Sequence, residues 1–597
     1  MKNKFKKITS VCLAIIMVFA VAAIAPVYAS AATETSESCG STIYGNDGLH
    51  YRFLSDNTWE LTKFDATNTR TSVEIEPLIE GYPVSSIADN VFNNCTKLTS
   101  VTIPNTITKI GNYAFSGCSN IKNLTIPDSV KSIGEYAFSN CNGVTTIPYG
   151  VTEIGWFAFS NCANLKYVPS TASKIGMYAF FYCTSLNTVY LSSELTKIED
   201  AVFYGCSSLG SISIPESVTS IGDSAFYNCT NLSSVSIPSS VTAIVGSAFR
   251  GTPWLNAKKA ENPMVIVNNM LIDGQTCSGS VVIPNHINYI SSGAFSGSNI
   301  TSVTIPNSIT DLNNSTFRGC LGLTSITIPN SVTRIGTYVF ENCSNLKTVT
   351  IPNSVKTIDN YAFRNCSSLK NITIPNSVTS IRAAVFSGSG LTNIVIPDSV
   401  TWLGSEAFSN CKSLASITLS NNLTTIEDGS FSGCISLTSI TIPDSVTTIE
   451  RNAFNGCSNL KNVTLGNGVT NIDDYVFWSC GNLNSIIIPE SVESIAVNAL
   501  TSEVVIYGYA GSYAESYAAK YGNTFIAITD GPETGDVDGD GKIAVDDVTI
   551  IQKYLAESAE LDDAQVKVAD VNGDGEISID DATMVQKYVA DIISSFD

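Results

Sequence analysis

Acidic residues near the carboxyl end of the chain recur at the spacing of a calcium-binding loop. Side-chain oxygens fall at loop positions 1, 3, 5 and 12, a glycine at position 6 permits a sharp turn, and position 7 offers its carbonyl. The predicted ligands are Asp536, Asp538, Asp540, the carbonyl of Lys542 and Asp547 in the first set, then Asp570, Asn572, Asp574, the carbonyl of Glu576 and Asp581 in the second. Oxygen donors in this order converge on a hard cation, so the sequence predicts two bound Ca²⁺ ions.

The segments that follow the two loops are near copies of each other. VDDVTIIQKY at 545–554 is matched by IDDATMVQKY at 579–588, and both predict helices that leave a loop. An acidic, solvated tail is the alternative interpretation, because residues 533–597 hold 17 acidic and 4 basic side chains. A merely acidic tail does not explain why each loop has a glycine at position 6. Nor does it explain why Ile543 and Ile577 occupy the same position in the two copies.

This duplicated loop-then-helix pattern resembles the type I dockerin family over residues 535–597. The resemblance implies a small all-α module of F-hand motifs. It also implies that calcium lets this module bind a cohesin on a scaffold protein, within complexes that degrade plant polysaccharides (cellulosomes). Positions matching the family's recognition sites are Val545, Asp546, Gln552, Lys553, Ile579, Asp580, Gln586 and Lys587. The near identity of the copies implies two docking orientations related by a half-turn, and ordinary helix surface is the alternative.

Most of the remaining chain repeats a single unit. A phenylalanine recurs from Phe92 to Phe477 at intervals of 21 to 23 residues, with a single gap of 46. Leu500 holds the same place at the end, and a degenerate unit inside the gap brings the expected number of turns to 19. Within one unit, Leu323, Ile326 and Ile328 alternate like one face of a short strand, and Pro329 ends the ladder pairing. Because one unit cannot enclose its apolar edge, stacked units are expected to form a β-rich solenoid over 89–503.

The repeated unit resembles the BspA-like class of bacterial leucine-rich repeats, as in LTSITIPNSVTRIGTYVFENC at 323–343. Ser331 stands where the general leucine-rich pattern has Asn, so a ladder of hydroxyl groups is expected to replace the Asn ladder. Both ends of a solenoid need covering. We expect an N-terminal β cap at 40–88 and a strand–helix–strand cap at 504–528, followed by a short linker at 529–534.

Fourteen of the 17 cysteines occupy one position of the repeat, three residues after the phenylalanine. Neighbouring turns would bring their Cα atoms within disulfide range, so geometry alone does not exclude bonding. Thr252, Ser298 and Ser389 take the same position in other units, which indicates selection for a small side chain. We therefore expect buried free thiols, and we assign no role to Cys39 or Cys277.

Two exposed surfaces of the repeats are candidates for ligand binding. The outward strand position is mostly threonine, which either suits a β ladder or offers a hydroxyl-rich surface to a protein or glycan. A second stripe is aromatic and could stack sugar rings, although such rings can also simply support one another. The possible glycan-stacking residues are Tyr113, Tyr136, Phe157, Tyr178, Phe181, Tyr204 and Tyr227.

The amino-terminal residues predict an exported protein. A lysine-rich start, an apolar run over 11–25 and the small residues at 29–31 together have the form of a signal peptide at 1–31. No later stretch predicts a membrane span, so we expect a secreted, extracellular protein attached to a cellulosome-type complex. A net charge of −21 argues against nucleic acid as a partner.

No catalytic residues are assigned. Glycoside hydrolysis needs two carboxylates facing each other in a cleft, and the repeats carry scattered acids without a recurring pair. His50 and His286 are the two histidines of the chain and lie far apart in the sequence. We therefore expect a non-catalytic subunit. The alternative is a polysaccharide-degrading enzyme (an O-glycosyl hydrolase), or an enzyme modulator, that uses an unrecognised site on the solenoid.

Overall fold

The computed structural model describes residues 42–44, 48–65, 70–528, 534–539, 542–590, 593 and 596. The predicted signal peptide, Cys39 and the predicted ligand Asp540 lie outside the described residues. Within the described ranges, no helix has both the length and the apolar character needed to cross a membrane.

The repeats form a β-solenoid of about 20 turns, in which most units contribute two short strands, so the predicted fold class is confirmed. In the first strand ladder, Ile326 lies beside Val349 of the next unit in parallel register. In the second strand ladder, Ile335 lies beside Ile358 in the same way. This register places equivalent positions of successive units directly on one another, so each apolar side chain is buried by its own counterpart.

The strand bounds follow from these two ladders. The first strand ladder comprises Ser72–Glu74, Ser100–Thr102, Tyr167–Val168, Thr188–Val189, Ser211–Ser213, Ser234–Ser236, Ser278–Val282, Asn299–Thr304, Ser325–Thr327, Thr348–Thr350, Asn393–Val395, Ser416–Thr418, Ser439–Thr441, Asn462–Thr464 and Ser485–Ile487. The second comprises Tyr82–Ile87, Lys109–Ile110, Ser132–Ile133, Glu153–Ile154, Lys174–Ile175, Lys197–Ile198, Ser220–Ile221, Ala243–Ile244, Met270–Asp273, Tyr289–Ile290, Asp311–Leu312, Arg334–Ile335, Thr357–Ile358, Ser380–Ile381, Trp402–Leu403, Thr425–Ile426, Thr448–Ile449, Asn471–Ile472 and Ser494–Ile495.

The repeated phenylalanines form a stacked column on each side of the 46-residue gap. The rings of Phe317 and Phe340 stack with centroids 5.7 Å apart and an interplanar angle of 5°. The Phe317 N–H donates to the carbonyl of Val339 in the next unit at 2.9 Å. The backbone then turns through a left-handed residue, Gly319 with φ 67° or Asn342 with φ 60°, which these two residue types tolerate at low cost. Ring stacking and backbone bonds therefore tie each turn to the next.

The expected hydroxyl ladder is confirmed at the position of Ser331. Its Oγ donates to the carbonyl of Ile309 in the preceding unit at 2.6 Å. The cysteine position is also filled as expected, because the described cysteines are free and buried. The Cys343 thiol donates to the carbonyl of Phe317 at 3.0 Å. Small polar side chains thus donate hydrogen bonds to backbone carbonyl groups that are not paired within the strand ladders.

The 46-residue gap between phenylalanines contains a helix that the sequence did not predict, Pro253–Glu261. Thr252 caps it, accepting the Leu255 N–H at 3.2 Å, and the buried Trp254 packs on the Phe249 ring with centroids 4.7 Å apart. A hairpin follows, and its second strand, Met270–Asp273, pairs with Tyr289–Ile290 so that the second strand ladder resumes. The buried core accordingly falls into two hydrophobic clusters, which divide at this strand.

Both ends of the solenoid are covered by β structure. Trp59–Phe64 pairs antiparallel with Leu49–Phe53 and parallel with Tyr82–Ile87, which passes the register on to the first units. At the other end, helix Tyr513–Tyr521 packs Ala514, Tyr517 and Ala518 into the core. The remaining strands are Thr42–Tyr44, Leu78–Ile79, Val265–Val267, Val505–Tyr509 and Phe525–Ile528.

In the part of the carboxyl-terminal module that the structure describes there are three helices, Val545–Leu555, Asp563–Ala569 and Ile579–Val589. The first and third are the two predicted helices, and they share a small apolar core that includes Val548, Ile551, Ala582 and Val585. The middle helix was not predicted. Asp562 begins it by accepting the N–H groups of Ala564 and Gln565, while Gln565 accepts the Asp562 N–H in return.

Candidate calcium sites and docking surface

The first acidic loop brings three carboxylates together. One oxygen each of Asp536, Asp538 and Asp547 lies within 4.8 Å of the others, and Asp536 and Asp547 are buried. Carboxylates this close repel one another unless a cation lies between them. The donor set consists of oxygen atoms alone, which fits a hard cation such as Ca²⁺. These residues could therefore hold calcium, which would supply the missing positive charge.

The aspartate at loop position 12 fixes the shape of each loop. Asp547 Oδ1 accepts the N–H groups of Val537 and Asp538 at 2.7 and 3.0 Å, and Oδ2 accepts the Ala544 N–H at 2.8 Å. In the second loop, Asp581 accepts the N–H groups of the equivalent residues at 2.8, 3.2 and 2.8 Å. The two copies therefore share one hydrogen-bonding pattern as well as one sequence pattern.

The second loop is folded around its first aspartate. Asp570 accepts the Asp574 N–H at 3.1 Å through one oxygen and the Gly575 N–H at 2.8 Å through the other. The Asn572 amide donates to Asp574 at 2.9 Å, so the side chains at positions 3 and 5 are in contact. Asn572 contributes an amide where the first loop has a carboxylate, which lowers the negative charge of the second loop. Hydrogen bonds thus connect the residues at positions 1, 3 and 5 of this loop, whereas the convergent carboxylates among the described residues lie in the first loop.

The eight residues predicted to contact a cohesin are all exposed. Val545 and Ile579 stand at the first turn of their helices with 63% and 62% of their surface accessible. The other polar residues of each set follow on the same helix. Since seven residues span nearly two helical turns, Val545 and Gln552 share one face, as do Asp546 and Lys553. Each copy therefore presents an apolar residue and polar residues beside a calcium loop.

The two ends of this module lie together, a contact that the sequence analysis missed. Gly535 has φ 101° and donates its N–H to the carbonyl of Val568 at 2.8 Å. A Cβ at this position would meet the ring of Phe596, which itself packs on Tyr588 with centroids 4.8 Å apart. The glycine is therefore required both by its backbone angle and by the close ring.

The aromatic stripe on the solenoid is stacked on itself. Tyr113, Tyr136, Phe157 and Tyr178 are half-buried and follow one another with centroids 4.5 to 4.8 Å apart and interplanar angles of 9° or less. Phe181, Tyr204 and Tyr227 extend this row with more tilt. Rings this close leave no space for a sugar between them, so the row presents edges and hydroxyl groups. Glycan stacking on this stripe stays a prediction that the ring geometry does not favour.

A different aromatic cluster, also missed by the sequence analysis, leaves its rings open. Tyr149 and Tyr190 are 64% and 56% exposed, and both lie 5.9 Å from the ring of Tyr167 at steep interplanar angles. The Tyr167 hydroxyl donates to that of Tyr149 at 2.6 Å. Desolvation is the larger cause and this hydrogen bond the second of a rise in the pKa of Tyr167 to about 12. These tyrosines occupy different positions in their units. The sequence signal was the pair of 21-residue spacings that shorten the neighbouring turns.

Comparisons with known proteins agree with both halves of this description. The family model for the BspA type leucine rich repeat region (6 copies) matches residues 71–173, 152–270, 274–392 and 379–504. The model for the dockerin type I domain matches residues 534–590. A comparison with curated proteins finds no match.

Among solved structures, the chain is similar to bacterial leucine-rich repeat proteins. One, from Bacteroides ovatus ATCC 8483, is 24% identical, with 81% of this chain and 100% of that chain covered and a TM-score of 0.35. A leucine rich cell surface protein from Faecalibacterium prausnitzii A2-165 is 26% identical, with 83% and 100% covered and a TM-score of 0.28. The pneumococcal vaccine antigen PcpA is 17% identical, with 83% and 100% covered and a TM-score of 0.30.

Proposed function

We propose that this chain, which belongs to the BspA type leucine-rich repeat family and carries a carboxyl-terminal type I dockerin domain, is a secreted, non-catalytic subunit of a plant-polysaccharide-degrading complex. A dockerin implies a cohesin partner, and dockerin domains occur in extracellular cellulosome components. The dockerin would attach the protein to a scaffold. The solenoid would bind a protein or glycan.

One observation carries the docking half of this proposal. All eight residues at the family's recognition positions are exposed, and they include two apolar side chains that are more than half exposed. Exposed apolar residues at the start of a helix, flanked by charged ones, are typical of a protein-binding surface. Since each copy carries such a set, either copy could meet the cohesin.

Calcium is proposed to stabilise the two loops of the dockerin domain. Type I dockerin domains typically bind calcium. We propose two ions, one in each loop, with the ligands predicted from the sequence. The convergence of Asp536, Asp538 and Asp547 supports the first site, and the matching hydrogen bonds of Asp581 support the second. Calcium would hold each loop rigid and thereby fix the helix that begins at its end.

A cohesin titration with paired variants tests this function. We expect the full mature chain to bind at least one of a panel of type I cohesin modules in CaCl₂ and none in EGTA. Val545→Arg alone, or Ile579→Arg alone, should weaken binding by about twofold, since one of two equivalent orientations remains. The double variant should lose binding by about 100-fold or more, because buried unpaired charges then spoil both orientations.

Glu560→Ala, at an exposed position outside both sets, is the matched control and should bind as the unaltered chain does. A full loss of binding with one single variant would show a single orientation. Failure of the calcium-loaded chain to bind any type I cohesin would overturn the docking proposal.

The solenoid half of the proposal is supported by the open tyrosine cluster. Tyr149 and Tyr190 expose ring faces beside a strand surface that is rich in threonine and serine hydroxyl groups. Aromatic faces bury the apolar sides of sugar rings or of protein side chains, and the phenol groups can hydrogen-bond at the same time. This surface is therefore suited to either class of ligand.

A further inference from the structure

One stretch of the solenoid is basic although the chain as a whole is acidic. Between Asp311 and Asp398 there are seven basic residues and two acidic ones, in a chain whose net charge is −21. The basic residues are Arg318, Arg334, Lys347, Lys356, Arg364 and Lys370, followed by Arg382. We call residues 312–397 the basic segment.

Both acids of the basic segment are engaged by arginine pairs. Glu341, whose side chain is 5% exposed, lies between Arg318 and Arg364, with N–O distances of 2.5 and 3.6 Å. Asp359 lies between Arg334 and Arg382 in the same way, at 2.5 and 3.3 Å. The four arginine side chains are 40% to 50% exposed. The carboxylates therefore lie beneath their partners, and the surface retains an excess of positive charge.

Two of these arginines are also held by aromatic rings. The Arg318 guanidinium lies 5.5 Å from the centroid of Tyr338, and that of Arg364 lies 5.4 Å from the centroid of Tyr361. The two tyrosine rings stack on each other with centroids 4.9 Å apart. A guanidinium fixed by both a ring and a carboxylate loses little entropy when it binds an anion. These two side chains are thus preorganised.

Arg364 also lines an open pocket of about 450 Å³. The pocket contains a second cation, Lys412, and polar side chains that include Ser367, Ser387 and Asn410. None of the described residues that line it is acidic. Its volume lies in the range of sites that hold small ligands. The pocket therefore combines positive charge with hydroxyl and amide groups.

The pocket arises where one unit is shorter than its neighbours. Two residues, Ser367 and Ser368, separate Cys366 from Leu369, whereas Gly390 alone separates Ser389 from Leu391. The Gly390 N–H donates to the carbonyl of Cys366 at 3.1 Å, and a Cβ at Gly390 would overlap the Ser367 carbonyl. The shortened turn thus lies against the preceding one, and the missing residue leaves space at the surface.

We propose that this pocket, together with the adjoining arginines, binds the carboxylate-bearing sugar of an acidic polysaccharide. The planar fork of Arg364 matches the two oxygens of a carboxylate, and Lys412 adds a second positive charge. The serine and asparagine groups hydrogen-bond sugar hydroxyls. Arg318 and the other exposed cations of the basic segment attract further carboxylates along the same polymer. The inference rests on the proposed function in taking the solenoid as the ligand-binding part.

Calorimetry with the full mature chain tests this assignment. Oligogalacturonides should bind, whereas the same oligomers with their carboxyl groups methyl-esterified should not, and added NaCl should weaken the binding. Arg364→Ala and Lys412→Ala should each weaken it by about tenfold, the usual effect of removing a charge-assisted hydrogen bond. Arg451→Ala is the matched control, because Arg451 makes the same contact with Tyr475 at 5.4 Å outside the basic segment.

Insertion of one serine after Ser389 provides a second, geometric test. It restores the usual length of the turn, so it should close the pocket and abolish binding while the melting temperature stays within a few degrees. Should Arg364→Ala prove unstable, Lys412→Ala still decides, because Lys412 is exposed.

Equal binding of the esterified oligomers, or full binding by the Lys412→Ala variant, would overturn the proposal. Tighter binding of poly(glycerol phosphate) than of oligogalacturonide would show that the pocket prefers phosphate groups, and it would overturn the assignment of a carboxylate ligand. Cohesin binding in calcium, measured on the same preparations, shows whether the docking function survives if this inference fails.

Discussion

At the scale of single residues, the cysteine column is a chemically quiet part of the protein. Each thiol is buried, and most donate to a phenylalanine carbonyl one turn away, as Cys229 does to Phe203 at 3.1 Å. Burial raises the pKa of Cys229 from its ordinary value of 9.0 to about 12. The thiolate is the reactive form, so these cysteines should resist both alkylation and oxidation in the folded protein.

The raised thiol pKa values predict a loss of stability in alkali. Below pH 9 the thiols are protonated whether the chain is folded or unfolded. Above it the unfolded state ionises first, so the free energy of unfolding falls by about 1.4 kcal/mol per pH unit for each thiol until the folded pKa is reached. Between pH 8 and pH 10.5, the free energy of unfolding should therefore fall by about 2 kcal/mol less in the Cys229→Ser variant than in the unaltered chain. Urea unfolding at the two pH values measures this difference.

An equal loss in both chains would show that Cys229 ionises alike in the folded and unfolded states. Serine is a suitable replacement because Ser298 and Ser389 already occupy the same position, where their hydroxyls contact Cys320 and Cys411 at 3.4 and 3.3 Å.

At the scale of elements, each calcium loop and the helix behind it depend on the aspartate at position 12. Asp581 is fully buried and accepts N–H groups from three loop residues. Asp581→Asn keeps the size of the side chain but removes its charge, so calcium affinity at the second loop should fall by at least about tenfold. Asp580→Asn, an equal change in charge at an exposed neighbour, should leave the affinity nearly unchanged. Calorimetric titration with Ca²⁺ checks both.

The elements also mark the limit of sequence-based prediction. Leu323, Ile326 and Phe340 repeat so regularly that strand ladders were the simplest way to bury them, and the duplicated segments after the two loops predicted both long dockerin helices. Helix Asp563–Ala569 is short and depends on its capping box, a local signal that the acidic surroundings of Asp562 conceal. Helix Pro253–Glu261 exists because Trp254 covers the Phe249 ring where the column is interrupted, and that contact depends on tertiary structure.

The same limit applies to the surfaces. The open tyrosine cluster joins residues from unlike repeat positions, and the pocket beside Arg364 is created by a residue that is missing. A repeat pattern predicts what recurs, whereas both features come from irregular units. The predicted docking residues follow from the resemblance to the dockerin family, and they recur once in each copy.

At the scale of the whole molecule, the solenoid and the dockerin should respond differently to metal removal. Among the described residues, the convergent carboxylates lie in the first dockerin loop. Chelation should therefore lower the unfolding temperature of the dockerin by roughly 10 °C or more while the solenoid transition stays in place, since metal binding contributes directly to folding free energy. Differential scanning calorimetry in CaCl₂ and in EGTA measures both transitions. A shift of the solenoid transition would contradict this expectation.

The ladders of the solenoid connect each unit with its immediate neighbours: Ile335 with Ile358, Phe317 with Phe340, and Ser331 with Ile309. Because no contact in these ladders depends on the total number of units, recombination within the gene can remove or duplicate 23 codons and still encode a protein that folds. Natural variants of different length would then carry the same dockerin on a longer or shorter solenoid. Such changes in solenoid length would require no change in the residues that cover its two ends.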